Sequence, residues 1–383
     1  MKRFLALTLS LVLALVLVAC GGSASSGAPA SGTGSTAPSA SAPEGGYEIA
    51  MITDVGDIDD QSFNQGTWEG VKAYGEANGK TYQYYKPVEQ SNDAYLNSID
   101  QAVQNGATVV VTPGYLFAVP VGTAQYKYPD VTFILIDASP AKMEGDAEVA
   151  DIATNSVGVT YAEEQAGYLA GYAAVKDGYT KLGFMGGMAV PAVVRYGFGF
   201  VQGANDAAAD MNVKIDMKYA YVGSFNPSPE IQAQAASWYQ EGTEVIFACG
   251  GGIGFSVFAA AESSDSKVIG VDVDQSSQSE TIITSAMKSL AESVGQMLTA
   301  HYDGSFPGGE AITLGAAEND VGLPMSTSKF TTFTQADYDT LFASMADGSL
   351  TIQKDVDASG ANITEPAQMG LALDATNLQF VTQ

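Results

Sequence analysis

The chain alternates between short apolar runs and longer segments with helical periodicity, and this alternation limits the possible folds more than any other feature. The apolar runs lack a polar–apolar alternation, which is typical of strands buried on both faces of a parallel sheet. The predicted strands are 47–53, 108–112, 131–137, 156–160, 181–185, 218–222, 244–248, 267–271 and 281–284. The predicted helices are 62–77, 94–104, 163–175, 195–211, 229–240 and 256–263. This number of strands favours two sheets rather than one.

The carboxyl ends of the predicted strands carry acidic residues and glycines. In open parallel sheets, ligands bind at this edge, so the pattern predicts a lined cleft. Asp and Gly are also common turn residues, which explains any single position equally well. The positions are Asp54 with Gly56, Pro113 with Gly114, Asp137, Gly186 with Gly187, Gly250 to Gly252, and Asp272.

The start of the first helix carries a capping signal. Ser62 followed three residues later by Gln65 fits a capping box, with Ser62 as the N-cap. Asn78 and Gly79 supply a stop signal at the other end.

The sequence is strongly acidic, with a formal net charge of −27. Such a surface repels phosphate backbones, so we expect no nucleic-acid partner. One histidine and two cysteines are too few for a disulfide scaffold or the usual tetrahedral zinc site.

Motifs of catalysis and phosphate binding are missing from the sequence. There is no G-x-x-x-x-G-K-[ST], G-x-S-x-G or H-E-x-x-H, and the glycines at 197–203 and 250–254 miss the G-x-G-x-x-G spacing. The acidic run at 54–60 departs from the calcium-loop template, and Cys249 ends an apolar strand, as a buried small hydrophobe would. We therefore expect no enzymatic activity, no cofactor and no metal.

The amino terminus has the features of an exported lipoprotein. Residues 1–19 read as a signal peptide, with Lys2 and Arg3 before a long apolar run. The run ends in LVAC at Cys20, which resembles the bacterial lipoprotein box, whose cysteine is diacylated. Residues 20–46 then comprise this lipidated Cys20 and a flexible linker of almost only Gly, Ser, Ala, Thr and Pro. We expect a lipid anchor at the extracytoplasmic face of the cell membrane; a transmembrane anchor is the alternative, although the apolar core is short for one.

A series of further motifs runs in order along the chain. The motifs are ITDVGDIDDQSFNQ at 52–65, WEG at 68–70, PGY at 113–115, FILID at 133–137, EEQAGYLAG at 163–171, GFMGG at 183–187, GF at 199–200 with Gly203, GGIG at 251–254, GVDVDQ at 270–275 and TSAMK at 284–288. Together they closely resemble the BMP (basic membrane protein) family, the substrate-binding lipoproteins of ABC transporters, which includes a purine nucleoside receptor. The resemblance covers roughly residues 47 to 325.

The resemblance implies an α/β protein with the type I periplasmic-binding-protein fold. In this fold two doubly wound parallel-sheet lobes are joined by a three-segment hinge and enclose a ligand. The expected lobes are 47–155 plus 286–310 for lobe 1, and 156–285 plus 311–383 for lobe 2. A helix at 336–345 and a strand at 350–354 are expected to pack on lobe 2, and we expect a monomer.

The resemblance also implies the ligand site. Asp54 and Asn64 would hydrogen-bond the edge of a purine, and Phe63 would stack on one of its faces. The opposing aromatic is expected at Tyr196, where the family commonly has Phe, with Phe200 as the alternative. The implied ribose set and the adjoining glycine loop are Asp137, Asp272, Lys288, Gly251, Gly252 and Gly254.

The expected function is therefore the capture of a purine nucleoside and its delivery to an ABC permease. The lack of a basic cluster favours an uncharged nucleoside over a nucleotide, which would need more cations. The alternatives are another polar small molecule such as a sugar, a nucleoside-processing enzyme, and a signalling lipoprotein without import.

Overall fold

The computed structural model describes residues 46–382, and the chain there forms two large, mainly parallel sheets covered by helices and one small antiparallel sheet of two strands. The predicted signal peptide, Cys20 and nearly all of the linker lie outside the described residues. The strands are β1 (Ile49–Ile52), β2 (Tyr82–Tyr85), β3 (Val109–Pro113), β4 (Thr132–Ile136), β5 (Ala141–Glu144), β6 (Ala147–Ala150), β7 (Ser156–Tyr161), β8 (Lys181–Gly186), β9 (Ile215–Tyr221), β10 (Val245–Cys249), β11 (Lys267–Asp272), β12 (Ile282–Lys288), β13 (Ala311–Leu314), β14 (Val321–Gly322) and β15 (Thr376–Phe380). The α-helices are α1 (Phe63–Asn78), α2 (Asn92–Gln104), α3 (Ala118–Lys127), α4 (Glu163–Lys176), α5 (Pro191–Asp210), α6 (Pro229–Gln240), α7 (Ile253–Ser264), α8 (Leu290–Asp303) and α9 (Gln335–Ala346).

Lobe 1 is built on a sheet with the strand order β13-β7-β4-β3-β1-β2, and all of its neighbouring strands are parallel. Alternate residues of β1 point to opposite faces, as strand geometry requires. Ile49 and Met51 belong to the core that contains residues of α1 and α8, whereas Ala50 and Ile52 pack with α2 and α3. Helices therefore cover both faces of the sheet.

Lobe 2 repeats this plan. Its sheet has the order β14-β12-β11-β10-β8-β9-β15, and every pair is parallel except β12 with β14. Helices α4 and α5 pack in one core with Phe184 and Phe247, while α6 and α7 pack in the other with Met185 and Ile246. Without β15, the strand order from β9 to β14 matches the order from β2 to β13 in lobe 1.

The chain crosses between the lobes three times, each time a few residues later than predicted. Strand β7 pairs with β4, so 156–161 stays in lobe 1, where lobe 2 was expected to begin at residue 156. Strand β12 keeps 282–288 in lobe 2, and α8 then packs on α1 in lobe 1. Strand β13 pairs with β7 in lobe 1, so the last crossing follows Leu314 rather than residue 310.

Helices α4 and α5 touch through glycines. A Cβ atom on Gly167 would lie 2.1 Å from the carbonyl oxygen of Tyr196, and one on Gly199 would lie 2.0 Å from that of Glu164. Gly171 and Gly203, one turn further along each helix, are equally close to the facing backbone. These contacts hold the first turn of α4 against α5.

The carboxyl-terminal segment packs on lobe 2. Helix α9 contacts α4, and β15 adds a parallel edge strand to β9. The strand predicted at 350–354 is wrong, because that stretch has no regular structure; an isolated bridge joins Val356 to Asn362 instead. Within residues 46–382, no helix combines the length and the apolar character that a membrane crossing requires.

Candidate functional site

A cavity lies between the two lobes, where the carboxyl ends of both sheets meet. Its lobe 1 wall comes from the loops after β1, β3 and β4 and the start of α1; its lobe 2 wall comes from α5 and the loops after β9, β10 and β11. The lining residues are Asp54, Gly56, Asp60, Phe63, Asn64, Gly114, Tyr115, Leu116, Asp137, Val190, Ala192, Val193, Tyr196, Phe225, Cys249, Gly250, Gly251, Gly252, Val271, Asp272 and Lys288.

All but two of the predicted site residues line this cavity. Phe200, the alternative to Tyr196 for the opposing aromatic, does not line the cavity, because its side chain is fully buried in lobe 2 and packs on Phe184 and Phe247. Gly254 also does not line the cavity, because it lies inside the first turn of α7 against the ring of Phe258. The aromatic that α5 presents to the cavity is Tyr196, one turn before Phe200.

Lys288, the last residue of β12, places a cation at the centre of the cavity wall. Its ammonium group bonds to the Asp137 carboxylate and lies 3.5 Å from Asp272 Oδ1 and 3.6 Å from Glu163 Oε1. Burial alone would lower the pKa of Lys288, but these three carboxylates raise it above its ordinary value. The buried side chain therefore stays protonated.

Asp137 and Asp272 occupy matching places in the two lobes. Each follows or ends the fourth strand of its sheet, and each has a left-handed backbone, with φ of 66° and 67°. Aspartate tolerates this conformation better than most residues. Among the described residues, Oδ1 of Asp137 is buried without a hydrogen-bond partner, so it remains free to accept a bond from a ligand.

A second polar group lies at the start of α1. Asn64 donates to Asp54 Oδ1 over 2.9 Å and to Asp60 Oδ2 over 3.0 Å, and the Gly56 N–H also bonds to Asp54 Oδ1. Both amide hydrogens of Asn64 are thus engaged, and the hydrogen bonds that Asp54 accepts within residues 46–382 end on Oδ1, so its Oδ2 is open to a ligand. Burial raises the pKa of Asp54 to about 6, despite the hydrogen bonds from Gly56 and Asn64.

The cap of α1 differs from the predicted capping box. The Ser62 side chain makes no cap bond; instead the Asp60 carboxylate accepts the backbone N–H groups of Ser62, Asn64 and Gln65. A carboxylate near these unpaired N–H groups also interacts favourably with the helix dipole. Ser62 is therefore free to make another contact.

That contact crosses the cleft. The Ser62 hydroxyl donates to Asp272 Oδ2 over 2.6 Å, from lobe 1 to lobe 2. Nearby, the amide of Gln275 in lobe 2 donates to the carbonyl oxygen of Gln61 over 3.0 Å. These bonds join the lobes on one side of the cavity.

Three aromatic rings lie near the Lys288 ammonium, those of Phe63, Tyr161 and Tyr196, and Phe63 and Tyr196 also line the cavity from opposite lobes. The ammonium lies 4.6 Å from the ring centre of Phe63 on α1 and 5.5 Å from that of Tyr196 on α5. The Tyr196 hydroxyl is buried and has no hydrogen-bond partner among residues 46–382. Phe63 and Tyr196 thus present aromatic rings to the cavity from opposite lobes, and the aromatic side chains of Tyr115 and Phe225 also line it.

Sequence reasoning missed the residues that support this arrangement. The acidic run at 54–60 is typical of solvated turn carboxylates or of charges at a helix N-terminus. The second interpretation holds for Asp60, which accepts N–H groups at the start of α1, but the sequence did not show that this carboxylate is buried. Glu163 was seen only as part of a motif, but it lies between the cations of Lys288 and Arg195. Burial would raise the pKa of Glu163, but Arg195 and Lys288 lower it below its ordinary value.

The cavity is chemically suited to a flat, neutral molecule with several hydrogen-bond donors. Four carboxylates and one ammonium line it, so its acceptors outnumber its cations. A phosphate group in the cavity would lie beside this negative surface. The single cation there, Lys288, is already shared by three carboxylates. Hydroxyl and N–H groups would instead find free acceptors.

The chain resembles known transport proteins in sequence and in structure. Residues 47–343 match the family described as ABC transporter substrate-binding protein PnrA-like. The nucleoside-binding protein BmpA of an ABC transporter from Lactococcus lactis is 31% identical over 309 residues, which is 74% of this chain and 83% of that protein. Basic membrane protein A2 of Borrelia garinii is 30% identical over 76% of this chain and 83% of its own length. A solute-binding protein of an ABC transporter system from Aeropyrum pernix has a TM-score of 0.65 at 22% identity, over 80% of this chain and 87% of that one, and so shows the shared type I periplasmic-binding-protein fold.

Proposed function

The chain belongs to the PnrA-like family of ABC transporter substrate-binding proteins, and on this premise we propose that its cleft binds a purine nucleoside for delivery to an ABC permease. The observation that carries the proposal is the composition of the cavity: two aromatic rings from opposite lobes together with free carboxylate acceptors. A purine offers a flat face to stack on such rings, a polar edge, and a ribose diol that donates to carboxylates.

Each part of a nucleoside has a partner in the cavity. Phe63 and Tyr196 supply the aromatic faces, and the free oxygen of Asp54 is the acceptor for the base edge. Asp137 and Lys288 are the groups for the ribose hydroxyls, together with Asp272. The name of the Lactococcus relative, a nucleoside-binding protein, supports the same ligand class.

The charge balance supports a nucleoside rather than a nucleotide. Asp54, Asp60, Asp137 and Asp272 all line the cavity, and Lys288 is their only lining counter-charge among the described residues. Phosphates carry two negative charges near neutral pH, which this cavity would have to desolvate without new cations.

We propose also that Cys20 carries the lipid that holds the protein at the extracytoplasmic face of the membrane. Support comes from the signal-like residues 1–19 and the small, polar linker that follows. Metabolic labelling with a tagged fatty acid tests this directly: the intact protein should be labelled and a Cys20→Ala variant should not.

Ligand identification tests the main proposal. The purified protein is denatured, the released small molecules are identified by mass spectrometry, and inosine, guanosine, adenosine, guanosine monophosphate and a hexose are titrated by calorimetry. We expect at least one nucleoside to bind and the nucleotide to bind far more weakly. Binding of the hexose with no response to any nucleoside would overturn the proposal, and release of free base from a bound nucleoside would indicate an enzyme.

A further inference from the structure

The segment beyond the family match reaches towards the ligand site. The match ends at residue 343, and the chain then runs along α5. Gln353 and Gln202 of α5 exchange two hydrogen bonds between side-chain amide and backbone, of 2.9 and 3.0 Å. These bonds fix the position of the next residues, Lys354 and Asp355.

Asp355 begins a line of charged groups that ends at the cavity lysine. Its Oδ2 lies 3.2 Å from Arg195 Nη1, and Arg195 Nε donates to Glu163 Oε2 over 2.6 Å. The other oxygen of Glu163 lies 3.6 Å from Lys288 Nζ. The line runs from partly exposed to fully buried side chains: Asp355 and Arg195 are 17% and 12% exposed, whereas Glu163 and Lys288 are 0% and 2% exposed.

The geometry makes each group depend on the one before it. A guanidinium is flat and rigid, so two carboxylates on different edges fix both its position and its plane. With Asp355 removed, Arg195 keeps only Glu163 as a carboxylate partner within 4.0 Å among the described residues. A shift of Arg195 would move the Glu163 carboxylate to which it is bonded, and this carboxylate faces Lys288. Because Glu163 is fully buried, the dielectric constant around it is low, and a small movement of its charge changes the interaction with Lys288 strongly.

We propose that Asp355 is a positioning residue for the ligand site, which orients the Lys288 ammonium through Arg195 and Glu163. Asp355 does not line the cavity and therefore touches no ligand. Asp355 itself, rather than the whole segment around it, thus contributes to the ligand affinity. The ligand-binding part of this inference rests on the proposed function, whereas the coupling between Asp355 and Lys288 does not.

The neighbouring residue provides a matched control. Lys354 lies 3.5 Å from Glu164 Oε1, but its side chain is 51% exposed, and no salt bridge joins Glu164 to Lys288 among the described residues. Lys354→Gln therefore perturbs the same segment, and an ion pair to the same helix, without removing a charged group from the line that runs from Asp355 to Lys288.

A thermodynamic cycle without ligand tests the coupling. The melting temperature is measured for the full chain and for Asp355→Asn, Lys288→Met and the double variant. We expect the decrease in melting temperature of the double variant to differ from the sum of the decreases of the two single variants by at least about 2 °C, although the two side chains do not touch. The cycle of Lys354→Gln with Lys288→Met should be additive. Additive losses in the Asp355 cycle would overturn the proposal, whatever the ligand is.

A ligand comparison tests the positioning role. Guanosine and 2′,3′-dideoxyguanosine, which lacks the ribose diol, are titrated by calorimetry into the wild type, Asp355→Asn, Asp355→Glu and Lys354→Gln. We expect Asp355→Asn to lower the affinity for guanosine by about tenfold, which is the effect of losing one charge-assisted contact. The affinity for the dideoxy analogue should fall much less. Asp355→Glu should restore part of the loss, and Lys354→Gln should bind as the wild type does.

The outcomes separate the two proposals. Equal weakening of both ligands by Asp355→Asn indicates a merely structural role and contradicts the inference. A wild type that binds neither ligand contradicts the proposed nucleoside function, and the additivity of the ligand-free cycle then decides the role of Asp355 alone.

Discussion

One buried cation determines how the residues around the cavity ionise. Lys288 bonds to Asp137 and faces two further carboxylates, so its positive charge offsets part of the cost of burying them. Asp54 lies outside this group, and its pKa is raised to about 6 by burial, with Asp60 and Asp272 adding to the rise. The unfolded chain would release that proton near its ordinary pKa of 3.8.

This difference predicts a pH dependence for Asp54. A carboxyl with a raised pKa binds its proton more tightly in the folded state, so its contribution to stability is full below about pH 4 and is lost as the pH rises through 6. The loss amounts to about 3 kcal/mol. Asp54→Asn cannot ionise, so the free energy of unfolding of the variant relative to the wild type should rise by that order between pH 4 and pH 7. Denaturant titrations at both pH values measure it, and a constant difference would contradict the raised pKa.

Phe63 is the aromatic whose loss should affect binding most directly. Stacking on a base is worth about 1–3 kcal/mol, so Phe63→Ala should lower the affinity for a nucleoside, measured by calorimetry, by roughly 5- to 150-fold. Phe255 on α7 is the matched control, since it is 36% exposed and does not line the cavity. Equal affinities of Phe63→Ala and the wild type would remove the stacking role.

At the scale of elements, the contact between α4 and α5 sets the geometry of the site. Gly199 faces the carbonyl of Glu164, so the spacing of the helices positions the first turn of α4, where Glu163 lies. A side chain at residue 199 would collide with the Glu164 carbonyl oxygen and so displace that turn relative to α5.

Gly199→Ala should therefore destabilise the protein by about 1–3 kcal/mol through overpacking, and should also weaken ligand binding. A Cβ atom on Gly295 of α8 would meet no other atom within 4 Å, so Gly295→Ala should be neutral or stabilise by up to about 1 kcal/mol. Chemical denaturation measures both changes. Similar effects of the two substitutions would show that the close contact carries no energetic weight.

The sequence allowed most strands and helices to be predicted, but not which side chain reaches the cavity or which acceptor caps a helix. Buried apolar runs located the central strands of both sheets, whereas β2, with only Tyr85 buried, lacked this signal. Tyr196 and Phe200 lie on the same side of α5, one turn apart, so helical periodicity could not tell which one reaches the cavity. The capping box at Ser62 failed because Asp60 bonds the same N–H groups, and a sequence pattern does not reveal which acceptor lies closer.

At the scale of the whole molecule, the matched strand order of the lobes brings two equivalent sheet edges face to face. This explains why Asp137 and Asp272, distant in sequence, meet at one lysine. The resemblance predicted this architecture, while the crossing points depended on which sheet each strand pairs with, which local sequence does not encode. Opening of the cleft has to break the contacts that span it.

The bond from Ser62 to Asp272 is such a contact, and it gives a kinetic prediction. A hydrogen bond to a charged group contributes about 1.5–3 kcal/mol, and this one forms only when lobe 1 meets lobe 2. Ser62→Ala should therefore raise the ligand dissociation rate by about 10- to 100-fold and leave the association rate nearly unchanged, because the open state lacks the bond. Ser263→Ala is the control, since the Ser263 hydroxyl bonds only within its own helix. Surface plasmon resonance with a bound nucleoside measures both rates. A slower association in Ser62→Ala with unchanged dissociation would mean that the contact acts before closure, and that the lobes are already joined when the ligand enters.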